Sequence, residues 1–245
     1  MKLELINNRW YKIKEDSGER KVSLKESVLE IREDIKKYSP YPERVKIVAA
    51  TKYTDENGVR SVVAEGIREI GENRVQSMSA KIENMSEEEL KKIRWNFIGH
   101  LQKNKVKYII DSVSLIHSVD SLSLADEIDK RAKRSERVVD ILLEVNISNE
   151  ESKSGYSVEE LQKEAEEYKK YSNLNIIGLM TMAPLTTDEK IVRGVFKGLR
   201  ELKDNLNITV FGGKLTELSM GMTNDYKMAL EEGATMIRVG SKLFK

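Results

Sequence analysis

The sequence predicts a single α/β barrel of the (β/α)8 TIM type, in which an N-terminal helix closes the outer ring. Three observations predict it. Short apolar runs alternate with charged amphipathic stretches along most of the 245 residues. Eight such strand-helix units can be distinguished, and eight is the number that closes this barrel. The length also suits one barrel, because the fold typically needs about 250 residues.

The first regular element is a helix that precedes all the barrel strands. Leu24, Val28, Ile31 and Ile35 form one apolar stripe, which predicts a helix over 23–38. Two prolines follow and end it. No helix is predicted after the last strand, so we expect this early helix to occupy the eighth helical position of the ring.

The strands are predicted from short β-branched and apolar runs, and the helices from the polar amphipathic stretches between them. The predicted strands are 45–50, 69–70, 95–98, 115–118, 138–147, 176–182, 215–218 and 235–239. The predicted helices that follow the first seven strands are 55–65, 73–83, 86–92, 102–109, 121–134, 157–171, 188–203 and 223–232. An open doubly wound sheet is the structural alternative, but it would not need eight regular units, and no Gly-x-Gly-x-x-Gly follows a strand.

Residues 1–22 differ from the rest in being polar and irregular, with Trp10 and Tyr11 as their bulky anchors. They are predicted to form an N-terminal arm that is either packed on the surface or partly disordered. The barrel domain is expected to span 23–245. No linker or low-complexity stretch indicates a further domain.

Composition excludes several classes of protein. The net charge is +1 with both signs interspersed, so no global field favours nucleic acid or a membrane surface. The absence of cysteine excludes thiolate catalysis and cysteine metal sites, and two histidines cannot build a multi-histidine centre, so no metal is predicted. No apolar run reaches about 18 residues and no signal peptide begins the chain. A cytoplasmic protein is expected.

The run from Val45 to Ala50 is followed by Thr51 and Lys52, which places a lysine where the first strand meets its helix. Active sites of such barrels lie at the carboxyl ends of the strands. A lysine there is poorly solvated, and a neutral amine can attack an aldehyde to form a Schiff base. The alternative is a side chain that extends from the barrel rim into water.

The last two strands are each followed by a glycine and a small hydroxyl residue. The segments are Leu218-Ser219-Met220-Gly221-Met222-Thr223 and Val239-Gly240-Ser241-Lys242. Backbone N–H groups and hydroxyls suit a phosphate, which often binds at this position in the fold. The alternative is that both glycines serve tight turns.

Two further polar residues have open interpretations. Arg238 shares strand parity with Met236, so an inward-facing strand would bury the guanidinium, which then needs an acceptor. The acceptor is either a ligand or an acidic residue such as Glu144 or Glu217. Asn73 either lines the same site or caps the following helix.

These pieces describe a ligand with an aldehyde at one end, a phosphate at the other and an aromatic nitrogen between them. Pyridoxal 5′-phosphate has that shape. The motifs resemble those of the pyridoxal phosphate homeostasis proteins, single-domain barrels similar to the N-terminal domain of alanine racemase, and the resemblance covers residues 45–241. The motifs are Ala49-Ala50-Thr51-Lys52, Gly71-Glu72-Asn73, Phe97-Ile98-Gly99-His100-Leu101-Gln102, Ile116-His117-Ser118-Val119-Asp120, Val145-Asn146-Ile147, Lys153-Ser154-Gly155, Gly178-Leu179-Met180-Thr181, Leu218-Ser219-Met220-Gly221-Met222 and Arg238-Val239-Gly240.

The resemblance implies a role for each candidate residue. Lys52 would carry the cofactor as a Schiff base. The phosphate would be held by Ser219, Gly240 and Ser241, with backbone help around Met220 and Gly221. Arg238 would face the pyridine nitrogen and Asn73 would line the pocket.

The implied function is a non-catalytic, monomeric protein that carries or buffers pyridoxal phosphate and affects vitamin B6 and amino-acid balance. A small pyridoxal phosphate enzyme such as a racemase, and a cofactor-free Schiff-base aldolase, are the alternatives. Racemisation needs a base on each face of the substrate carbon. In alanine racemases the second base is a tyrosine from a separate β domain, and here the barrel occupies the chain. Arginine at the pyridine nitrogen also makes the ring a weaker electron sink.

Overall fold

The structure, a computed structural model, describes residues 2–6, 9–13, 22–150 and 154–244. Eight parallel strands form a closed barrel in the order β10-β3-β4-β5-β6-β7-β8-β9. These strands are β3 Lys46–Ala50, β4 Glu69–Glu72, β5 Arg94–Phe97, β6 Val113–Val119, β7 Val139–Glu144, β8 Leu174–Met180, β9 Glu217–Met222 and β10 Met236–Val239. The predicted (β/α)8 fold is confirmed.

Helices cover the outside of the barrel. They are α1 Leu24–Tyr38, α2 Glu56–Ala64, α3 Val75–Glu83, α4 Glu87–Leu90, α5 Leu122–Arg134, α6 Val158–Glu164, α7 Glu189–Leu206, α8 Tyr226–Glu231 and α9 Ser241–Phe244. Three 3₁₀ segments (Pro42–Arg44, Lys103–Tyr108, Ala165–Lys170) and one π-helical turn (Asn207–Phe211) complete the outer layer. The predicted helix over 102–109 and the second half of that over 157–171 are therefore 3₁₀ segments.

Helix α1 occupies the position that the sequence left for an eighth helix. It packs against α8 and α9, and Tyr226 donates a hydrogen bond to Asp34 over 2.5 Å. Lys242 of the four-residue α9 pairs with Glu30 at 2.6 Å. Elements from the two ends of the barrel sequence thus close the ring together.

Local capping explains where several helices begin. The Ser23 and Glu26 pair forms a capping box at α1, and Ser86 with Glu89 forms another at α4. Asp55 accepts hydrogen bonds from two backbone N–H groups at the start of α2, so the turn after β3 ends in a firmly capped helix.

The barrel has two separate apolar regions. The larger lies between strands and helices. The smaller fills the barrel interior and consists of Val48, Leu115, Leu142, Met180 and Met236. The interior position of Met236 confirms that its parity partner on β10, Arg238, also faces inward.

The N-terminal arm differs from the prediction. Lys2–Ile6 (β1) and Arg9–Ile13 (β2) pair as an antiparallel hairpin, whereas an irregular segment was expected. The missed signal is the period-2 alternation of Lys2-Leu3-Glu4-Leu5. Residues 1, 7–8 and 14–21 of the arm, and Lys153 of the Lys153-Ser154-Gly155 motif, lie outside the described residues.

Within the described ranges, no helix combines the length and the apolar character that crossing a membrane would require.

Candidate functional site

A cavity of about 420 Å³ opens at the carboxyl ends of the strands. Strands or following loops from seven of the eight barrel positions contribute to its wall. Its polar lining residues are Lys52, Asn73, His100, Glu144, Ser154, Thr223, Asn224, Asp225, Arg238 and Ser241. The volume lies within the range of small-molecule and cofactor pockets.

The structure brings five of the eight predicted site residues together around this cavity. They are Lys52, Asn73, Arg238, Gly240 and Ser241. Ser219, Met220 and Gly221 are buried in β9 and do not line it.

Lys52 stands at the cavity with an exposed side chain, so the poorly solvated lysine expected from the sequence is not present. The physical reason is that β3 ends at Ala50, and two further residues carry the chain out to the rim. Lys52 Nζ lies 5.0 Å from the centroid of the Tyr53 ring. The amine is accessible to a ligand that enters the cavity.

Asn73 is half-buried between β4 and α3. Helix α3 begins after Arg74, and no side chain makes a capping hydrogen bond there. The alternative role for Asn73 as a helix cap is therefore absent, and its side chain belongs to the cavity wall.

Arg238 is 5% exposed and is held from inside the barrel. Its Nη1 donates to Ser219 Oγ at 2.6 Å and its Nη2 donates to the Thr181 carbonyl at 2.9 Å. Burial lowers the pKa of Arg238 to about 10, while Asp225 and Glu144 oppose that shift. The guanidinium is thus charged at neutral pH and fixed in one orientation.

The two acidic partners considered from the sequence do not pair with this arginine in the described residues. Glu217 binds Lys46 at 2.8 Å near the opposite end of the barrel. Glu144 lies in the same cavity and affects Arg238 only through its charge. The Ser219 hydroxyl and the Thr181 carbonyl are the acceptors instead of a carboxylate.

Ser219 connects Arg238 to a histidine that the site prediction missed. His117 is fully buried, with Nδ1 2.8 Å from Ser219 Oγ and Nε2 2.9 Å from Asn96 Oδ1. Burial, with added repulsion from Arg238 and Lys46, lowers the pKa of His117 well below its ordinary value, so the ring is neutral.

The direction of these hydrogen bonds follows from Ser219. Its oxygen accepts from Arg238, so its own proton is available to His117 Nδ1. We therefore assign the His117 proton to Nε2, which donates to Asn96. The Asn96 amide then donates to Glu69 Oε2 at 2.8 Å. One polar chain runs from the cavity to the amino end of β4.

The predicted turn after strand seven is in fact the second half of β9, and this corrects the placement of three candidates. Strand β9 continues to Met222, and Ser219 pairs with Met180 of β8. Gly221 has φ +89°, and a Cβ on it would lie 2.5 Å from Ala229 Cβ. The glycine allows β9 to pack closely against α8. Met220 points into the apolar region between strands and helices.

Thr223 provides a hydroxyl at the cavity, close to Gly240 and Ser241. The Gly240 N–H faces Thr223 Oγ1 over 3.4 Å. A Cβ on Gly240 would lie 3.1 Å from the Ala50 carbonyl, so glycine allows the ends of β10 and β3 to meet. One backbone N–H and two hydroxyls converge here, which is a donor set that fits a phosphate.

Glu144 is the second residue that site prediction from sequence missed. It is buried at the cavity, and burial, reinforced by Asp120, raises the pKa of Glu144 to about 7. In the strand order β7 lies opposite β3, so Glu144 faces Lys52 across the mouth. The inward parity of Leu142 and Glu144 at a strand end, the rule applied to Arg238, would have identified it.

The described residues contain no group of three His, Asp or Glu side chains placed to hold a metal ion. The polar groups that line the cavity are an amine, a guanidinium, an imidazole, hydroxyls, amides and two carboxyl groups.

Residues 33–245 match the family described as alanine racemase, N-terminal domain. A pyridoxal phosphate homeostasis protein of Aquifex aeolicus is 42% identical over 199 residues, which cover 81% of this chain and 86% of the relative. A protein of the same name from Synechocystis is 37% identical over 203 residues, which cover 83% of this chain and 92% of the relative.

Solved structures of other proteins share the barrel fold of this chain. PipY of Synechococcus elongatus, with PLP bound, has a TM-score of 0.82 and 32% identity and covers 91% of this chain and 100% of its own. An alanine racemase of Clostridium difficile has a TM-score of 0.68 at 14% identity, over 88% of this chain and 56% of its own. The latter likeness concerns the fold alone.

Proposed function

Because this chain belongs to the pyridoxal phosphate homeostasis proteins, which share the alanine racemase N-terminal domain, we propose that it binds pyridoxal 5′-phosphate at the barrel mouth and carries or buffers it. The observation that carries the proposal is a single cavity in which Lys52 and Arg238 meet the Thr223, Gly240 and Ser241 donors. From the family, whose members are named for pyridoxal phosphate homeostasis, we infer a role in vitamin B6 and amino-acid balance.

Each group in the cavity has a separate task in this proposal. Lys52 would supply the amine that condenses with the aldehyde to a Schiff base, with release of water. Gly240, Ser241 and Thr223 bind the phosphate. Arg238 donates a hydrogen bond to the pyridine nitrogen, and Ser219 holds Arg238 in place from below rather than touching the ligand.

Arg238 also favours a carrier over an enzyme. When bound, the cofactor supplies an aldehyde and an electron-withdrawing ring. A guanidinium that donates to the ring nitrogen keeps that nitrogen unprotonated, and the ring then withdraws electrons less strongly. The two hydrogen bonds on Nη1 and Nη2 support such a fixed donor.

The test is covalent capture of the cofactor. The protein is mixed with pyridoxal phosphate, reduced with borohydride, digested, and analysed by mass spectrometry. We expect the adduct on Lys52, and Lys52→Ala should lose both the adduct and the visible imine band. Lys103→Ala, which removes an exposed lysine after β5, is the matched control and should keep both.

An unmodified Lys52 in the wild-type protein, or an undiminished band in Lys52→Ala, would contradict the covalent part of the proposal.

One observation favours a second candidate function, amino-acid racemisation. Glu144 opposes Lys52 across the cavity and has a pKa near 7, as a second base would. Incubating the loaded protein with L-amino acids in heavy water separates the two functions. We expect no exchange of the α-proton above the rate with free cofactor; faster exchange that Glu144→Gln abolishes would establish the enzyme instead.

A further inference from the structure

A buried ion pair lies directly beneath the Lys52 loop. Glu72 ends β4 and is 0% exposed, and Lys81 of α3 is 5% exposed. The two side chains are in direct contact through Lys81 Nζ and Glu72 Oε1. Lys81 is therefore a second lysine near the site, but it is sealed from the cavity and has a different set of partners.

Both members of the pair also bind Thr51, the residue before Lys52. Lys81 Nζ donates to the Thr51 carbonyl at 2.7 Å, and the Thr51 hydroxyl donates to Glu72 Oε1 at 2.5 Å. The Thr51 N–H donates to the Gly71 carbonyl at 2.9 Å. The carbonyl of Thr51 belongs to the peptide bond between Thr51 and Lys52. This network therefore fixes the orientation of that peptide plane, and with it the position of the Lys52 Cα.

The buried Glu72–Lys81 ion pair is not explained by a contribution to stability alone. A buried ion pair gains little net free energy over apolar residues of the same size, because both charges lose their hydration. Glu72 Oε2 has no hydrogen-bond partner among the described residues, which adds to that cost. The bonds that the pair does make converge on Thr51.

We propose that Glu72 and Lys81 are positioning residues for Lys52. They hold the Thr51–Lys52 peptide so that the exposed side chain delivers its amine to an aldehyde held from the Gly240 side of the cavity. The pair carries no net charge, so its effect on Lys52 is geometric. The inference rests on the proposed covalent attachment at Lys52.

The double variant Glu72→Gln with Lys81→Met tests it. Glutamine keeps an acceptor for Thr51, methionine keeps the apolar stem of the lysine, and no unpaired charge is buried. The Thr51 carbonyl and the side-chain oxygen at position 72 both lose their bond to the ammonium group, while the carbonyl still accepts from the Thr54 N–H. Lys46→Met with Glu217→Gln removes an ion pair near the other end of β3 and serves as the control.

Two quantities are measured after the urea midpoint of each protein is determined. One is the rate at which pyridoxal phosphate forms the imine band. The other is the affinity for pyridoxine 5′-phosphate, which has the phosphate and ring but no aldehyde. We expect the double variant to form the band about tenfold more slowly, as misplaced reacting groups do, with unchanged affinity for the alcohol. The control should match wild type in both.

If the pair has only a structural role, the double variant should form the imine band at the wild-type rate. That result would overturn the inference and leave the proposed function standing. If wild-type protein forms no borohydride-fixed adduct on Lys52, the covalent proposal and this inference both fail. Thr51→Val removes only the hydroxyl link and keeps the ion pair, so it is a second variant in which imine formation should be slower than in wild type.

Discussion

Arg238 donates a hydrogen bond over 2.6 Å to the hydroxyl of Ser219, inside the barrel and below the cavity. Of these two residues, only the arginine lines the cavity. The serine nevertheless affects the proposed ligand site, because it accepts a hydrogen bond from the guanidinium and donates one to His117 Nδ1.

Replacing this serine should cost stability. In Ser219→Ala, the buried Arg238 and His117 each lose a partner, so the free energy of unfolding should fall by about 1–3 kcal/mol. Urea unfolding measures it. The matched control is Ser118→Ala, because Ser118 Oγ is buried without a hydrogen-bond partner in the described structure. Its stability should stay within about 0.5 kcal/mol of wild type, and equal losses in both variants would contradict the assigned role of Ser219.

His117 and Glu144 should affect the pH dependence of stability in opposite directions. The pKa of His117 is lowered by burial, so its contribution is full above about 6.5 and is lost as the pH falls and the unfolded chain binds the proton. Burial raises the pKa of Glu144 to about 7, so its contribution is full below the ordinary value of 4.5 and is lost as the pH rises through 7.

Two variants separate these effects. Between pH 6.5 and 5, Glu144→Gln should lose stability more steeply on acidification than wild type, by up to about 1.4 kcal/mol per pH unit. His117→Gln should lose it less steeply over the same window. Urea midpoints at several pH values give the slopes, and parallel curves for all three proteins would refute the assignment.

Gly221 should be intolerant of a side chain for structural reasons. Gly221→Ala places a Cβ 2.5 Å from Ala229 at a φ of +89°, and overpacking with backbone strain should cost about 2–4 kcal/mol. At Gly194 in α7, no described neighbour lies within 4 Å of the position that an alanine methyl group would take. Gly194→Ala should therefore stabilise the protein by up to about 1 kcal/mol. A neutral Gly221→Ala variant would show that β9 does not need this glycine.

Thr223 should matter for the phosphate and not for the aldehyde. Thr223→Val keeps the side-chain shape and removes one hydroxyl donor, so affinity for pyridoxal phosphate should fall about tenfold. Affinity for pyridoxal, which lacks the phosphate, should not change. Calorimetry with both ligands tests this, and a parallel loss for both would place the hydroxyl elsewhere in the site.

Much of the fold and part of the site follow from local sequence rules. The alternation of apolar runs and amphipathic stretches predicts the barrel, and strand parity correctly turns Arg238 inward. The same parity places Glu144 inward at the end of β7, at the level of the cavity. The alternation of side chains along a strand does not predict the residue at which the strand ends.

One correction arises from a strand end. Gly221 looks like a turn glycine, yet its positive φ serves close packing within a longer β9, so Ser219 lies inside the barrel. The exposure of Lys52 has another cause: β3 ends at Ala50 as predicted, and Thr51 and Lys52 continue beyond it to the rim. Strand ends depend on contacts with neighbouring strands and helices, and these are set by tertiary packing.

Closure of the ring through α1 has a consequence for biosynthesis. The bonds that lock it join Asp34 to Tyr226 and Glu30 to Lys242, residues separated by 192 and 212 positions. Strand β3 pairs early with β4, but its other edge has no partner until β10 leaves the ribosome. During synthesis that open edge is a site for mispairing with other chains, and it stays unprotected until translation has passed β10.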